Sequence, residues 1–281
     1  MYVVRRKSVT AFVILSFLIS YTGLFLFYLL SGAAGPFGDA VNMYLPAAFT
    51  VIGPGMAAVI ISARLGGRSE VWRLLQTLRF DRQALYYLLL TPLVCMCIAA
   101  LAFTLGGIPV STLLEMLLAN KWILAAHFAF QLLVIGIGEE LGWRGWLLPA
   151  LLKRRSLLKA TMIIFPVWTI WHFPKLLAGW QVSVPFVLLC FAITVLLSWF
   201  WLKTDGNTLV VAILHAAVNT PVFFLEQQAQ TYYLSQNQLL QGWQLYASGY
   251  LLAALLLILL RRRDWRRERV GGGFERKDSG Q

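Results

Sequence analysis

Two adjacent acids, Glu139 and Glu140, interrupt a long apolar run, and Arg144 follows one helical turn later. A charge at the centre of a bilayer costs about 2.5–3.5 kcal/mol even on the lenient insertion scale. Three charges this close together in an apolar segment are therefore expensive unless they do something. Two histidines also lie deep in apolar segments: His172 in Trp168-Thr-Ile-Trp171-His172 and His215 in His215-Ala-Ala-Val-Asn219. Glu140 and Arg144 are i, i+4 and share a helix face, as do Trp168 and His172, and His215 and Asn219. Carboxylates beside imidazoles suit activation of water and attack on a carbonyl. Other hydrolytic plans fit less well. The chain has no His-Glu-x-x-His zinc motif and no Gly-x-Ser-x-Gly elbow. Its aspartates, Asp39, Asp81, Asp205, Asp264 and Asp278, all fall in expected loops or the tail.

The elements that must position these residues are membrane helices. The chain has 281 residues, 59% hydrophobic and 13% charged, against about 45–50% apolar and about 25% charged in soluble domains. The expected fold class is all-α, a polytopic membrane helix bundle of about eight transmembrane helices. Eight apolar segments are long enough to cross about 30 Å of hydrocarbon: Val9–Leu30, Val41–Ala63, Ala84–Leu105, Trp122–Leu152, Leu157–Gly179, Val184–Leu202, Thr208–Leu225 and Trp243–Leu260. The fourth exceeds one span and is expected to tilt, to run out of the membrane, or to bend at Gly136, Gly138 or Gly142.

Basic residues orient the bundle. Nearly all fall before the first segment, between the second and third, between the fourth and fifth, at Lys203, or in the tail; Lys121 and Lys175 lie at the other ends and Arg144 within a span. This pattern predicts both termini inside. It also explains the net charge of +12 as topology and contact with anionic lipid rather than nucleic-acid binding. Three regions follow: residues 1–40, a tail and first transmembrane helix; residues 41–262, the bundle; and residues 263–281, a charged, disordered cytosolic tail. The first segment precedes Ser31-Gly-Ala-Ala-Gly, which resembles a signal-peptide cleavage site, but its apolar core is longer than the usual 7–15 or so residues, so a retained span is expected. Arg68–Arg82 reads as an amphipathic helix on the cytosolic surface. Cys95, Cys97 and Cys190 read as small buried hydrophobes. His127 reads as interfacial, and Asp39, Glu115 and Glu226 as solvated. At about 1.5 Å per residue, Glu139 lies roughly 21 Å from Lys153, His172 roughly 20 Å from Lys159, and His215 roughly 15 Å from Asp205. All three are thus expected at similar depth, reachable from the cytosolic side.

Glu139-Glu140-x-x-x-Arg144, aromatic-x-x-x-His172 and His215-x-x-x-Asn219 resemble the three motifs of the CPBP (CAAX prenyl protease type II and bacteriocin-processing, or ABI) intramembrane proteases. The resemblance covers roughly residues 40–260. One departure is Trp168, where the family usually has Phe. The resemblance implies that Glu139 is the general base, helped by His172, and that Glu140 is held ionised by Arg144. His215 and Asn219 would stabilise the oxyanion. If a metal takes part, it would be Zn2+ on Glu139, His172 and His215; direct glutamate catalysis is preferred. The implied protein is an endopeptidase in a prokaryotic plasma membrane, cutting a membrane-associated or amphiphilic peptide or protein on the cytosolic side. Two other readings are a non-proteolytic immunity or scaffold protein of the same fold, and a proton-coupled transporter, though no inverted repeat is present. Nothing in the sequence speaks to an oligomeric state.

Overall fold

The computed structural model describes residues 6–31, 39–266, 269–270 and 273–274. It is a helical bundle. In chain order its helices are α1 (Arg6–Ser31), α2 (Asp39–Leu75), α3 (Arg82–Leu105), α4 (Val110–Ala119), α5 (Lys121–Leu152), α6 (Leu157–Trp171), α7 (Phe173–Leu176), α8 (Trp180–Lys203), α9 (Thr208–Gln228), α10 (Gln236–Leu260) and α11 (Arg262–Trp265). Arg269–Val270 pairs antiparallel with Gly273–Phe274. Among the described residues, seven helices are long and apolar enough to span a membrane: α1, α2 from Ala48, α3, α5, α8, α9 and α10. The outward surface carries large apolar side chains, including Leu89, Leu101, Leu133 and Leu259, as a lipid-facing surface must.

The expected fifth span, Leu157–Gly179, is instead the 15-residue α6, which stops at Trp171. At 1.5 Å per residue it reaches only about 22 Å, short of a full crossing. Its C-terminal end is held by α1. Tyr21 Oη donates to the Trp171 carbonyl at 2.7 Å, and Trp171 Nε1 donates to Ser20 Oγ at 2.9 Å. Helix ends leave carbonyls without intrahelical partners, and inside a bilayer such a group needs one. The first helix thus packs into the bundle. The cleavage-like residues after Ser31 lie outside the described residues.

The bundle has two unlike ends. At one, the turn after α2 is stitched to the loop before α9. Arg79 donates to the Thr204 carbonyl at 3.0 Å, Asn207 Nδ2 to the Arg79 carbonyl at 2.9 Å, and the Thr208 amide to the Thr77 carbonyl at 2.8 Å. Helix α2 breaks at Gly67, whose φ of +63° suits glycine. The expected amphipathic helix Arg68–Arg82 ends at Leu75, with Trp72 exposed and Leu74 buried. The tail expected to be disordered from residue 263 is folded at its start: Asp264 and Trp265 are buried. Asp264 accepts from Lys203 Nζ at 2.7 Å, Trp199 Nε1 at 3.1 Å and Arg261 Nε at 3.2 Å. Burial raises its pKa, but these donors outweigh burial and hold the carboxyl below its ordinary value. This anchor is at full strength above the ordinary carboxylate range and is lost as pH falls through the lowered value. Residues 267–268, 271–272 and 275–281 lie outside the described residues. At the other end, Gln238 Nε2 donates to the Gly107 carbonyl at 2.7 Å and Asn120 Nδ2 to Tyr232 Oη at 3.0 Å.

Helix α5 is continuous from Lys121 to Leu152. It runs through two π-helical segments, Gln131–Gly136 and Trp143–Leu147, on either side of Ile137–Gly142. Its glycines serve contact. A Cβ on Gly142 would lie 2.5 Å from the Pro54 backbone, and one on Gly55 would lie 2.7 Å from the Gly138 carbonyl oxygen. Helices α2 and α5 therefore touch backbone to backbone. Gly142→Ala is expected to lower stability by about 1–3 kcal/mol through overpacking. Thermal unfolding in detergent reads this, and an unchanged midpoint would show that α2 gives way freely.

Candidate active site

The two acids sit on the short α-helical stretch between the π segments, at 1% and 0% exposure. A buried carboxylate must be paired, and Glu140 is. Arg144 Nη1 lies 2.8 Å from Glu140 Oε1 and 3.0 Å from Oε2. His215 Nδ1 approaches the same Oε1 at 2.8 Å. A carboxylate oxygen only accepts, so His215 carries its proton on Nδ1, and Nε2 is directed elsewhere.

Glu139 has a partner that its own helix did not foretell. Trp168 Nε1 donates to Glu139 Oε2 at 2.7 Å. The histidines expected as its partners bond elsewhere: His215 to Glu140, and His172, through Nδ1, to the Trp168 carbonyl at 2.9 Å. That carbonyl only accepts, so His172 also carries its proton on Nδ1 and keeps a free Nε2. The Trp168 ring meets His172 and His215 edge to face, with centroids 5.1 and 5.6 Å away. The Arg144 guanidinium carbon lies 5.1 Å from the same ring centroid, within cation–π range. One indole thus touches Glu139, Arg144, His172 and His215. A phenylalanine there keeps the ring contacts and lacks the N–H.

Asn219 donates through Nδ2 to Gln131 Oε1 at 3.1 Å. Gln131, fully buried, did not stand out in the sequence. On a straight α-helix it lies about 180° from Glu140, so both cannot face α9; a π turn absorbs an extra residue and brings them within about 80°. The only sequence signal for it is an amide in an apolar run. His127, expected at the interface, is buried and bonds Gln227 Oε1 at 2.7 Å.

A cavity of about 490 Å³ adjoins this cluster. His172, His215, Asn219 and Trp168 line its inner end, with Cys190 beside them. Glu139, Glu140 and Arg144 lie behind that wall. The walls are apolar residues of α8, α9 and α10, and the cavity leads to Lys175, Glu226, Gln230 and Gln236. Those residues belong to the end opposite the stitched, basic one, so the cavity does not open toward the side from which access was expected.

Among the described residues, no three His, Cys, Asp or Glu side chains form a metal-ligand group. Glu139, His172 and His215, the set that the resemblance implies for zinc, are thus not gathered as a ligand group.

A buried acid–base cluster at the foot of an apolar cavity, inside a polytopic helical bundle, defines a class: multi-pass membrane proteins with a candidate intramembrane active site. Residues 120–221 match the family model described as type II CAAX prenyl endopeptidase Rce1-like. The chain is similar to a curated relative, "CAAX prenyl protease 2" of Methanococcus maripaludis, at 29% identity over 102 residues, covering 32% of this chain. The alignment spans 37% of that relative's length. Both comparisons support the CPBP family that the motifs resemble, and the family-model match contains all seven motif positions from Glu139 to Asn219, Trp168 included.

Two substitutions separate the roles in this cluster. Arg144→Met leaves Glu140 buried beside His215 alone and is expected to cost about 3–5 kcal/mol; adding Glu140→Gln recovers part of the loss, read by thermal unfolding. Trp168→Phe removes one donor from a buried carboxylate at about 1–3 kcal/mol, and a midpoint equal to the parent's would show that the hydrogen bond contributes nothing to stability.

Proposed function

We propose that this protein is an intramembrane endopeptidase that uses Glu139 and the two histidines to direct water at a peptide bond, without a metal ligand set. The observation that carries this reading is the convergence of His172, His215 and Asn219 at the closed end of an apolar cavity, with Glu139 held just behind by Trp168. The family match over residues 120–221 and the curated relative support it.

The chemistry follows from the proton positions. Trp168 occupies Glu139 Oε2, which leaves Oε1 for a water. Glu139 takes a proton from that water as its oxygen attacks the carbonyl carbon, with the free Nε2 of His172 bordering the same space. The carbonyl oxygen becomes an oxyanion, and two donors serve it. Asn219 has a second amide hydrogen beyond the one given to Gln131. His215 donates from Nε2 as an imidazolium, with Glu140 against Nδ1. Donors fixed before the charge develops are the strongest contributors to such a step. The proton on Glu139 then passes to the departing amine.

The substrate class that suits an apolar, membrane-embedded cavity is an amphiphilic or membrane-associated peptide or protein. The chain fits a prokaryotic plasma membrane, with its basic end against anionic lipid.

Glu139→Gln is expected to abolish peptide cleavage while the protein still folds and inserts; full activity in that variant sinks the mechanism. His172→Ala and His215→Ala are expected to be as damaging. Comparison of N-terminal peptides from cells expressing the parent and Glu139→Gln identifies substrates. Activity that falls on chelation and returns with Zn2+ would overturn the metal-free part of the reading.

A further inference from the structure

The cavity has a direction, and charge gives that direction a side. Along α8 its wall is Ile193, Leu189, Phe186 and Val182, residues three or four apart on one helix face. From Ile193 to Val182 is about 16 Å at 1.5 Å per residue. The α9 wall runs in parallel from Asn219 through Val222 to Glu226. Both lead away from the end that carries the arginines. The basic end is closed by the hydrogen bonds among residues 77–81 and 204–208 and by the Asp264 anchor. The open end holds Lys175 and Glu226 of opposite sign and the amides of Gln230 and Gln236. Basic segments mark the cytosolic face of a membrane protein.

We infer that substrate reaches the site from the extracytoplasmic face, as an extended, apolar stretch of a polypeptide held at the outer leaflet. The inference rests on the proteolytic reading for what happens at the cavity's foot, but not for the direction of access. An extended chain advances about 3.3 Å per residue, so the 16 Å wall takes about five residues. The walls offer apolar contacts and the mouth has no surplus of either charge, so selection falls on apolar side chains rather than on an anionic headgroup. A substrate confined to the cytosol meets the closed end.

The test uses three single-cysteine additions to the full chain: Gln230→Cys at the mouth, Val222→Cys in the wall, and Arg154→Cys at the basic end. Each is treated with a membrane-impermeant maleimide in right-side-out and in inverted vesicles and compared with the parent, whose own cysteines set the background. Labelling of Gln230→Cys and Val222→Cys in right-side-out vesicles, with loss of both in inverted ones and the reverse for Arg154→Cys, is the expected result. Labelling of Gln230→Cys and Val222→Cys only in inverted vesicles overturns the inference. Labelling decides the direction whether or not any peptide is cut. A membrane-impermeant fluorogenic peptide with an apolar centre, given to the same vesicles, is expected to be cleaved only by right-side-out ones, and not by the Glu139→Gln variant. Cleavage only by inverted vesicles also overturns the inference. Labelling from outside with no cleavage in either preparation upholds the direction and refutes the proteolytic reading.

Discussion

The structure depends on burying a carboxylate and a guanidinium where the bilayer penalises both. Glu140 and Arg144 have no exposure, so neither charge can turn to water. Their pairing occupies both oxygens of Glu140 and leaves Oε1 shared with His215. That sharing ties α5 to α9 at one depth and fixes which nitrogen of His215 is free. A buried pair of this kind contributes little net stability. Its effect here is positional: with His215 pinned, Asn219 one turn further along α9 reaches Gln131, and the two helices are held in register.

Trp168 turns this pair into a site. Its indole brings the third motif helix, α6, against α5 and α9, touching members of all three motifs. Indole is suited to the task because it has an apolar face and a single N–H donor. The face accepts the guanidinium and the histidine edges, and the N–H holds the second carboxylate. The two acids are therefore unequal. One is neutralised by charge, the other only hydrogen-bonded.

The sequence showed most of the bundle and most of the cluster, because both leave periodic or costly marks. Apolar runs bound most of the helix ends to within a few residues, the exceptions being the ends of α2 and α6 and the start of α10, and charges inside them point to the site through their cost alone. The i, i+4 pairing of Glu140 with Arg144 needed only helix geometry. Three things were not legible. Gln131 escaped because the π segment moves it onto the α9 face, and a helical wheel drawn at 3.6 residues per turn puts it on the other side. The Trp168–Glu139 bond escaped because it joins separate helices, and no pattern within one helix encodes it. The length of α6 escaped because Phe173, Leu176 and Leu177 continue the apolar run beyond the helix end at Trp171.

That short helix explains why the cavity has its mouth where it does. Helix α6 enters from the basic end and stops at the depth of the acids, with Tyr21 capping its last carbonyl and Ser20 taking its last indole N–H. The four-residue α7 and a loop cover the remaining distance before α8 turns back. A full-length α6 would extend past His172 with a continuous column of side chains against α8. Ending it early puts His172 at a helix terminus, faces it with Phe186 from α8, and leaves the outer part of α8 to line open space with α9 and α10. The same truncation that gives His172 its place therefore also leaves the cavity open beside it. It does so only on the side away from the arginines, because on the other side α6 is whole and the loops are stitched together.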